Sequence, residues 1–451
     1  MTIDRRSLIG ASLGLGAAVS AARASERKPS AMAPNASDFA PALVPDDGRD
    51  QTEALQAAVD SAAEKDIPLI LPPGKFLVSD LRLRRGSRVI GMARTTTLIF
   101  SGGIAFVTGD KADGLVLDGL TFDGAYKAFD TGRGDGLLTF SNSKNLHLHD
   151  LEIQNSSGNG VSLTECGGRV EGLLISHVLD AGFKSLDSLG LDVKDNTVTD
   201  CGNNGILIWR SKQEEDGSVV AGNRISKIRN AAGGTGEYGN GINVFRAGSV
   251  LVSGNRISDC AYTAARGNAA SNIQIIGNSC ERLGEVALYA EFGFQGAIIA
   301  NNLVDTAASG ISVTNFNEGG RLAVVQGNLI RNLVRREQEP DDKRGEGIAV
   351  EADAVISGNT IENALTVGIQ IGWSKYMRDV AVTGNVVRGA RVGISVTNAA
   401  DAGKCLIANN LISNAKDGAI REMDRGVFQG PDLAREPSAS DRIHVMANVA
   451  V

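Results

Sequence analysis

The segment Gly241-Ile-Asn-Val244, followed by Val250-Leu-Val-Ser-Gly-Asn-Arg-Ile257, decides how the whole chain is read. Its second half returns as Val355-Ile-Ser-Gly-Asn-Thr-Ile361 and as Val380-Ala-Val-Thr-Gly-Asn-Val-Val387, preceded by Gly347-Ile-Ala-Val350 and Gly368-Ile-Gln-Ile371. Apolar and polar residues alternate within each piece, the pattern of short strands with one buried face. Aligned on the asparagine, the series runs Asn196, Asn223, Asn255, Asn278, Asn302, Asn328, Asn359, Asn385, Asn410 and Asn448, at spacings of 23 to 38 residues. Leu120, Leu151 and Leu173 fill the same slot upstream, which gives thirteen repeats.

A unit of roughly two dozen residues with three strands and three turns makes one triangular coil. A single coil cannot bury its inward face, so coils must stack with parallel strands in register. The expected fold is all-β: a single-stranded right-handed parallel β-helix of about 13 coils and three sheets. The asparagine column then becomes a ladder whose amides bond one another and the turn backbone, satisfying polar groups that are costly to bury. Cysteine usage agrees. Cys201 and Cys260 lie five residues past their ladder asparagine, Cys280 takes the slot of Ile257 and Cys405 that of Val250, all apolar positions, while Cys166 falls in a loop. Core packing, not redox or metal chemistry, is the expectation for them.

The composition fits this reading. Among 451 residues there are 55 Gly, 42% hydrophobic residues and only 4% aromatics, so a disordered chain is excluded and the core must be aliphatic. A net charge of −7 argues against a generally basic nucleic-acid binder. Arg5-Arg6, the Gly/Ala-rich apolar run Ser7 to Ala22, and Ala22-Arg23-Ala24 make residues 1–24 an export signal, too weakly apolar for a membrane span. Its removal would take the charge from −7 to −9, leaving an acidic protein in the periplasm or outside the cell. Residues 25–45 read as a flexible lead and 46–451 as one β-helix domain. Within it, residues 46–66 form a helical cap: Asp50-Gln-Thr-Glu53 resembles a capping box, and Leu55, Ala58, Val59 and Ala62 share one helical face. The stretch 424–441 reads as a polar, irregular insertion.

Four further pieces carry a family resemblance: Asp46-Asp-Gly-Arg-Asp-Gln-Thr-Glu-Ala-Leu-Gln-Ala-Ala-Val-Asp60, Leu71-Pro-Pro-Gly-Lys-Phe-Leu-Val78, Val89-Ile-Gly91 and Gly119-Leu-Thr-Phe122. They resemble the opening of pectate-lyase-like proteins, and the likeness extends over roughly 44–451. Asp4-Arg5-Arg6-Ser7-Leu8-Ile9 resembles a twin-arginine signal, and with the repeat array it resembles a bacterial family of twin-arginine-translocated repetitive proteins without a settled activity. The resemblance implies export by the twin-arginine machinery, a β-helix and a bias toward sugar polymers. It does not imply a reaction.

In pectate-lyase-like proteins the substrate lies along one sheet between loops. The Gly-Ile-x-Val strands match that sheet, with walls expected from Lys227 to Asn240, Ser211 to Gly217 and Asn332 to Glu346. Because Ile and Val point inward, the residue between them and the one after Val point out. One outward column reads Leu138, Ser162, Lys184, Leu207, Asn243, Arg266, Tyr289, Ser312, Ala349, Gln370, Ser395; the other reads Phe140, Thr164, Leu186, Trp209, Phe245, Asn268, Glu291, Thr314, Glu351, Gly372, Thr397. The middle is richest in chemistry. Trp209, Phe245 and the polar Asn243 and Asn268 suit sugar rings, and Arg210 and Arg246 suit carboxylates. This points to an acidic polysaccharide partner. Cleavage by β-elimination needs a neutralised uronate, a base and a proton donor. Arg210 and Arg246 could neutralise, Arg266 or Lys184 could be the base and Tyr289 the donor. Glu291 could instead pair with Glu351 in a hydrolase, at a backbone separation of about 9.6 Å. The alternative, from another class, is a non-catalytic carbohydrate-recognition or scaffold protein of the cell envelope. His147, His149, His177 and His444 form no metal spacing. No cofactor is expected from the residues; calcium, which serves many β-helical lyases, is the one the resemblance allows, and no acidic cluster marks a site for it.

Overall fold

A computed structural model of the chain describes residues 43–130, 135–336 and 345–451. The export signal and nearly all of the flexible lead fall on residues 1–42, outside the described residues.

The expected three-sheet coil is the observed one. Sheet 1 collects the strands that precede the ladder slot, from Leu69–Ile70 and Arg88–Ile90 through Leu251–Ser253 to Ile443–Met446, fifteen parallel strands in chain order. Sheet 2 follows the ladder slot, as in Arg224–Ile228 and Arg256–Cys260, and sheet 3 holds the Gly-Ile-x-Val strands, from Gly136–Ser141 through Asn240–Gly248 to Ile420–Asp424. Within Ser279–Glu291 and Leu303–Val313 sheets 2 and 3 run through one bent strand. Fifteen strands exceed the thirteen repeats because the first two coils continue as Leu71-Pro72 and Gly91-Met92, which lack the repeat signature. Among the described residues no helix is long and apolar enough to cross a membrane.

Two columns of left-handed backbone turn the chain at the same place in successive coils from Leu151 onward. One precedes the ladder residue, as at Gly254 (φ 64°) and Asp195 (φ 56°); the other lies four residues after it, as at Asp200, Asp259 and Asn363. Gly, Asn and Asp tolerate this region best, which explains their recurrence there. Between the two bends the ten asparagines are bonded in one series. Each side-chain Nδ2 donates to the Oδ1 of the next at 2.9–3.0 Å, from Asn196 to Asn448. Each Oδ1 also accepts the preceding asparagine's backbone N–H, as Asn278 Oδ1 does from Asn255 at 3.0 Å. A second, short series sits at the entry to sheet 3, where Asn240 donates its backbone N–H and Nδ2 to Asn204 Oδ1.

The interior is one continuous apolar column. Cys201, Cys260, Cys280 and Cys405 lie in it as free, buried thiols, and burial pushes Cys201 and Cys280 up to about 12. Cys166 also belongs inside: its backbone lies between strands, but its thiol is buried and donates to Thr164 O.

At the N-terminal end helix α1 spans Thr52–Glu64 and buries Leu55, Ala58, Val59 and Ala62 against the first coils. The capping box does not form. Gln51 occupies the cap and bonds the Val44 backbone, while Asp50 accepts from Thr52 N–H and from Ser101 Oγ. At the other end the stretch read as irregular contains a strand: Val427–Asp432 folds back antiparallel on Ile420–Asp424 and covers the edge of sheet 3. Asp432 secures the fold-back by accepting Ala419, Ile420 and Ala434 N–H groups. Covering an edge in this way removes a template for aggregation.

Two outcomes follow from this architecture. Asn278→Leu strands the amide and backbone donors of Asn255 in the interior, and urea unfolding should show a loss of about 2–4 kcal/mol. On sheet 1, Asp353 receives both Arg378 (2.7 and 2.8 Å) and Arg321 (2.5 Å), and the Arg378 hydrogen bonds hold its carboxyl down at about 2. A depressed carboxyl stabilises fully above the unfolded value of about 3.9 and loses that contribution as pH falls through the folded value. Tm should therefore fall less steeply between pH 5 and about 2 in Asp353→Asn than in the native protein.

Candidate functional site

Register pairs along sheet 3 place the outward residues in two stacked columns. Ser162, Lys184, Leu207, Asn243, Arg266, Tyr289, Ser312, Ala349, Gln370 and Ser395 follow one another on successive strands. Thr164, Leu186, Trp209, Phe245, Asn268 and Glu291 do the same in the second column. The first strand of the expected columns, Gly136–Ser141, departs from expectation. Thr139 pairs with Ser162 and Ser141 with Thr164, while Leu138 and Phe140 are fully buried and point inward. Lys184 and Arg266 are three strands apart, about 14 Å at the spacing of parallel strands.

The centre of the floor is a closed ionic node. Arg266 Nε donates to Glu291 Oε1 at 2.6 Å, Asn268 Nδ2 donates to the same oxygen at 2.9 Å, and Arg266 Nη1 lies 3.7 Å from Glu285 Oε2. Both Arg266 and Glu291 are almost wholly buried. Burial works against the guanidinium charge, but Glu291 more than offsets it, so the Arg266 pKa is raised above its ordinary value. Tyr289 lies under the guanidinium with its ring centroid 5.1 Å from Cζ, and burial first, then Glu291, pushes its hydroxyl pKa up. Both groups thus hold their protons firmly. Arg266 cannot serve as a base in this state.

The remaining candidate cations are also committed. Lys184 Nζ donates to Asp135 Oδ2 at 2.7 Å, an oxygen that also accepts from Ser162. Arg210 reaches Ser188 O (3.0 Å) and Glu214 (3.1 Å), and Arg246 reaches Ser211 O (2.8 Å) while stacking on Phe245. The segment expected as a loop after Trp209 is strand: Asn204–Glu215 bulges and re-pairs at Glu214 with Ala247 and at Glu215 with Gly248. In the hydrolase pairing, Glu291 turns into the ionic node and Glu351 accepts Phe316 N–H at 2.6 Å.

Two chambers flank the node. The first, of 290 Å³, is lined by Trp209, Phe245 and Phe292, by Asn243, Asn268 and Arg266, and by Thr235 to Glu237. Trp209 and Phe245 meet edge to face at 5.9 Å. One wall is the segment 229–239, held by Tyr262 Oη donating to Gly234 O, by Arg266 Nη1 and Asn240 Nδ2 donating to Gly236 O, and by Asn204 Nδ2 donating to Glu237 O. The second chamber, of 310 Å³, carries Tyr289, Gln370 and Trp373 with Glu285, Glu346 and Glu351. Sequence reasoning missed Asp135, Tyr262, Glu285, Phe292 and Trp373. The Asn-Gly pairs at 204–205 and 240–241 were the available signal for the wall clamps.

With this geometry in view, comparisons place the chain among known folds. A family described as "Right handed beta helix region" matches residues 214–378, and one described as "Periplasmic copper-binding protein (NosD)" matches 125–281. No curated protein matches the sequence. Among solved structures, the N-terminal fragment of bacteriophage Phi29 gene product 12 is similar over 92% of this chain and 70% of that one, at 13% identity and a TM-score of 0.56. Weaker likenesses are the catalytic unit of a GH87 α-1,3-glucanase from Streptomyces thermodiastaticus strain HF3-3 (14% identity, 92% and 68% covered, TM-score 0.47) and the Azotobacter vinelandii mannuronan C-5 epimerase AlgE6 A-module (15%, 92% and 99%, 0.45). The pectate-lyase-like resemblance thus holds at the level of fold, a right-handed parallel β-helix.

The donor set does not fit copper. Among the described residues no three His, Cys, Asp or Glu side chains converge as metal ligands. The thiols within 125–281 are buried and held protonated, whereas copper sites use thiolate or neutral imidazole. His147 and His149 stand side by side on sheet 1, facing Glu171 and Asp118.

Gly236 closes the chamber wall at φ 146°, and a Cβ there would lie 2.0 Å from Arg266 Nη1. Gly236→Ala should therefore release the segment 229–239, seen as new protease cleavage within it, while the ladder-dependent Tm changes little. Unchanged resistance to cleavage would remove the clamp from this account.

Proposed function

We propose that this protein is an exported glycan-recognition β-helix that binds a polysaccharide along sheet 3, parallel to the axis of the coil. The observation that carries the reading is the first chamber, where Trp209, Phe245 and Phe292 converge with Asn243, Asn268 and Arg266. Aromatic faces beside fixed polar groups are the means by which proteins hold pyranose rings, whose C–H faces are apolar and whose rims are hydroxyl-rich. The chambers follow one another along successive strands, which suits a polymer more than a single small molecule. The N-terminal sequence and the likeness to a family described as periplasmic support a site of action in the periplasm or outside the cell.

Recognition is better supported than cleavage of a polyuronate. Elimination needs a group able to take the C5 proton, and Arg266 holds its proton beside Glu291 while Lys184 is bound to Asp135. Tyr289 keeps the hydroxyl proton a donor needs, but a donor alone does not make a lyase.

A glycan array probed with the full chain should give binding to at least one polysaccharide class. Trp209→Ala and Phe245→Ala should each weaken it by about tenfold, or ~1.4 kcal/mol, at unchanged Tm. Incubation with polyuronates should yield no unsaturated products. Binding that survives both substitutions would move the site off sheet 3, and unsaturated products abolished by Arg266→Ala would restore the lyase reading.

A further inference from the structure

We infer that the first chamber is a subsite for one neutral sugar ring, a hexopyranose that donates a hydroxyl hydrogen bond to Asn243 Oδ1 and accepts one from Trp209 Nε1–H. This rests on the glycan reading of sheet 3 and adds the chemistry of the sugar that the chamber takes.

The polar groups of the chamber carry the inference. Asn243 is only 5% exposed, yet its Oδ1 has no hydrogen-bond partner within the protein. The Trp209 indole Nε1 is likewise buried without a partner. Both residues line the same chamber on adjacent strands, with Phe245 beside Asn243 and opposite Trp209. A buried polar atom left unpaired costs free energy, which a ligand group that pairs with it recovers. One group is an acceptor and the other a donor. A sugar hydroxyl is both, and two hydroxyls on neighbouring ring carbons meet both needs at once.

The charges lining the chamber disfavour an acidic ring. Arg266 is the cation that lines the chamber, and it is matched to Glu291 and Glu285 and donates to Gly236 O. Glu237 lines the same space. A uronate carboxylate entering here would lose its water beside Glu237 and meet a lining guanidinium already paired with Glu291, which is unfavourable. A neutral ring avoids that cost and keeps the aromatic contact. The volume of 290 Å³ is at the lower end of small-ligand clefts, about 300–1,000 Å³, and suits one ring of a longer chain.

Isothermal titration of the full chain with cello-, malto-, laminari- and manno-hexaose, and with hexagalacturonate and hexamannuronate, tests this directly. At least one neutral hexaose should bind, with both uronates at least about tenfold weaker. Asn243→Leu, which removes the acceptor at similar volume, and Trp209→Phe, which removes only the indole N–H and keeps a ring, should each weaken the neutral ligand by about fivefold to tenfold. Trp209→Phe guards against a variant that fails to fold. Tighter binding of a uronate than of every neutral hexaose overturns the inference but leaves glycan recognition on sheet 3 standing. Equal affinity in the native protein and both variants also overturns it. Binding of none of the six overturns the inference too, and the glycan array then decides whether recognition on sheet 3 stands.

Discussion

A buried primary amide has two donors and an acceptor to satisfy, and stacking identical amides one coil apart satisfies them with each other. The asparagine series from Asn196 to Asn448 does this through the interior of the protein, each Oδ1 taking both the backbone and side-chain N–H of the coil before. A shift of one residue in any coil of this series would break two bonds at that step and turn its apolar face outward. Register is therefore fixed from the ladder side, and sheet 3, on the far side of each coil, inherits it. Trp209 meets Phe245, and Arg266 meets Glu291, because the ladder admits no other alignment.

On sheet 3 the same stacking is used for a different end. Its outward residues include charges and aromatics, and the charged ones are closed on each other: Arg266 with Glu291 and Glu285, Lys184 with Asp135. A buried ion pair adds little net stability but fixes geometry, since either partner alone would be costly. Here it fixes the wall as well as the floor, because the same guanidinium holds Gly236 O. What this leaves open toward solvent is aromatic and amide surface, the chemistry of sugar recognition.

Much of this was legible in the chain, and the exceptions have physical causes. Strict alternation around Ile242 and Val244 made the outward columns readable from Ser162 onward. The run Leu137-Leu138 before Thr139 offers no parity, so Leu138 and Phe140 read as outward when they are core. Ser211 to Glu215 is polar on both faces and reads as loop, yet it pairs through backbone alone with Ala247 and Gly248. The strand Val427–Asp432 is an edge that buries little, so no hydrophobic period announces it. Arg266, Asn268 and Glu291 were visible as candidates for chemistry. Their mutual closure was not, because it depends on side chains meeting across strands whose spacing in sequence is irregular.

The central claim is that sheet 3, and not the outer face of sheet 1 or the ends of the coil, is where a glycan sits. Diffraction from crystals of the full chain soaked with a neutral hexaose is the most direct measurement. The account predicts density for a pyranose ring between Trp209, Phe245 and Phe292, within hydrogen-bond distance of Asn243. An ordered sugar on another face, with the first chamber empty of it, would contradict the claim.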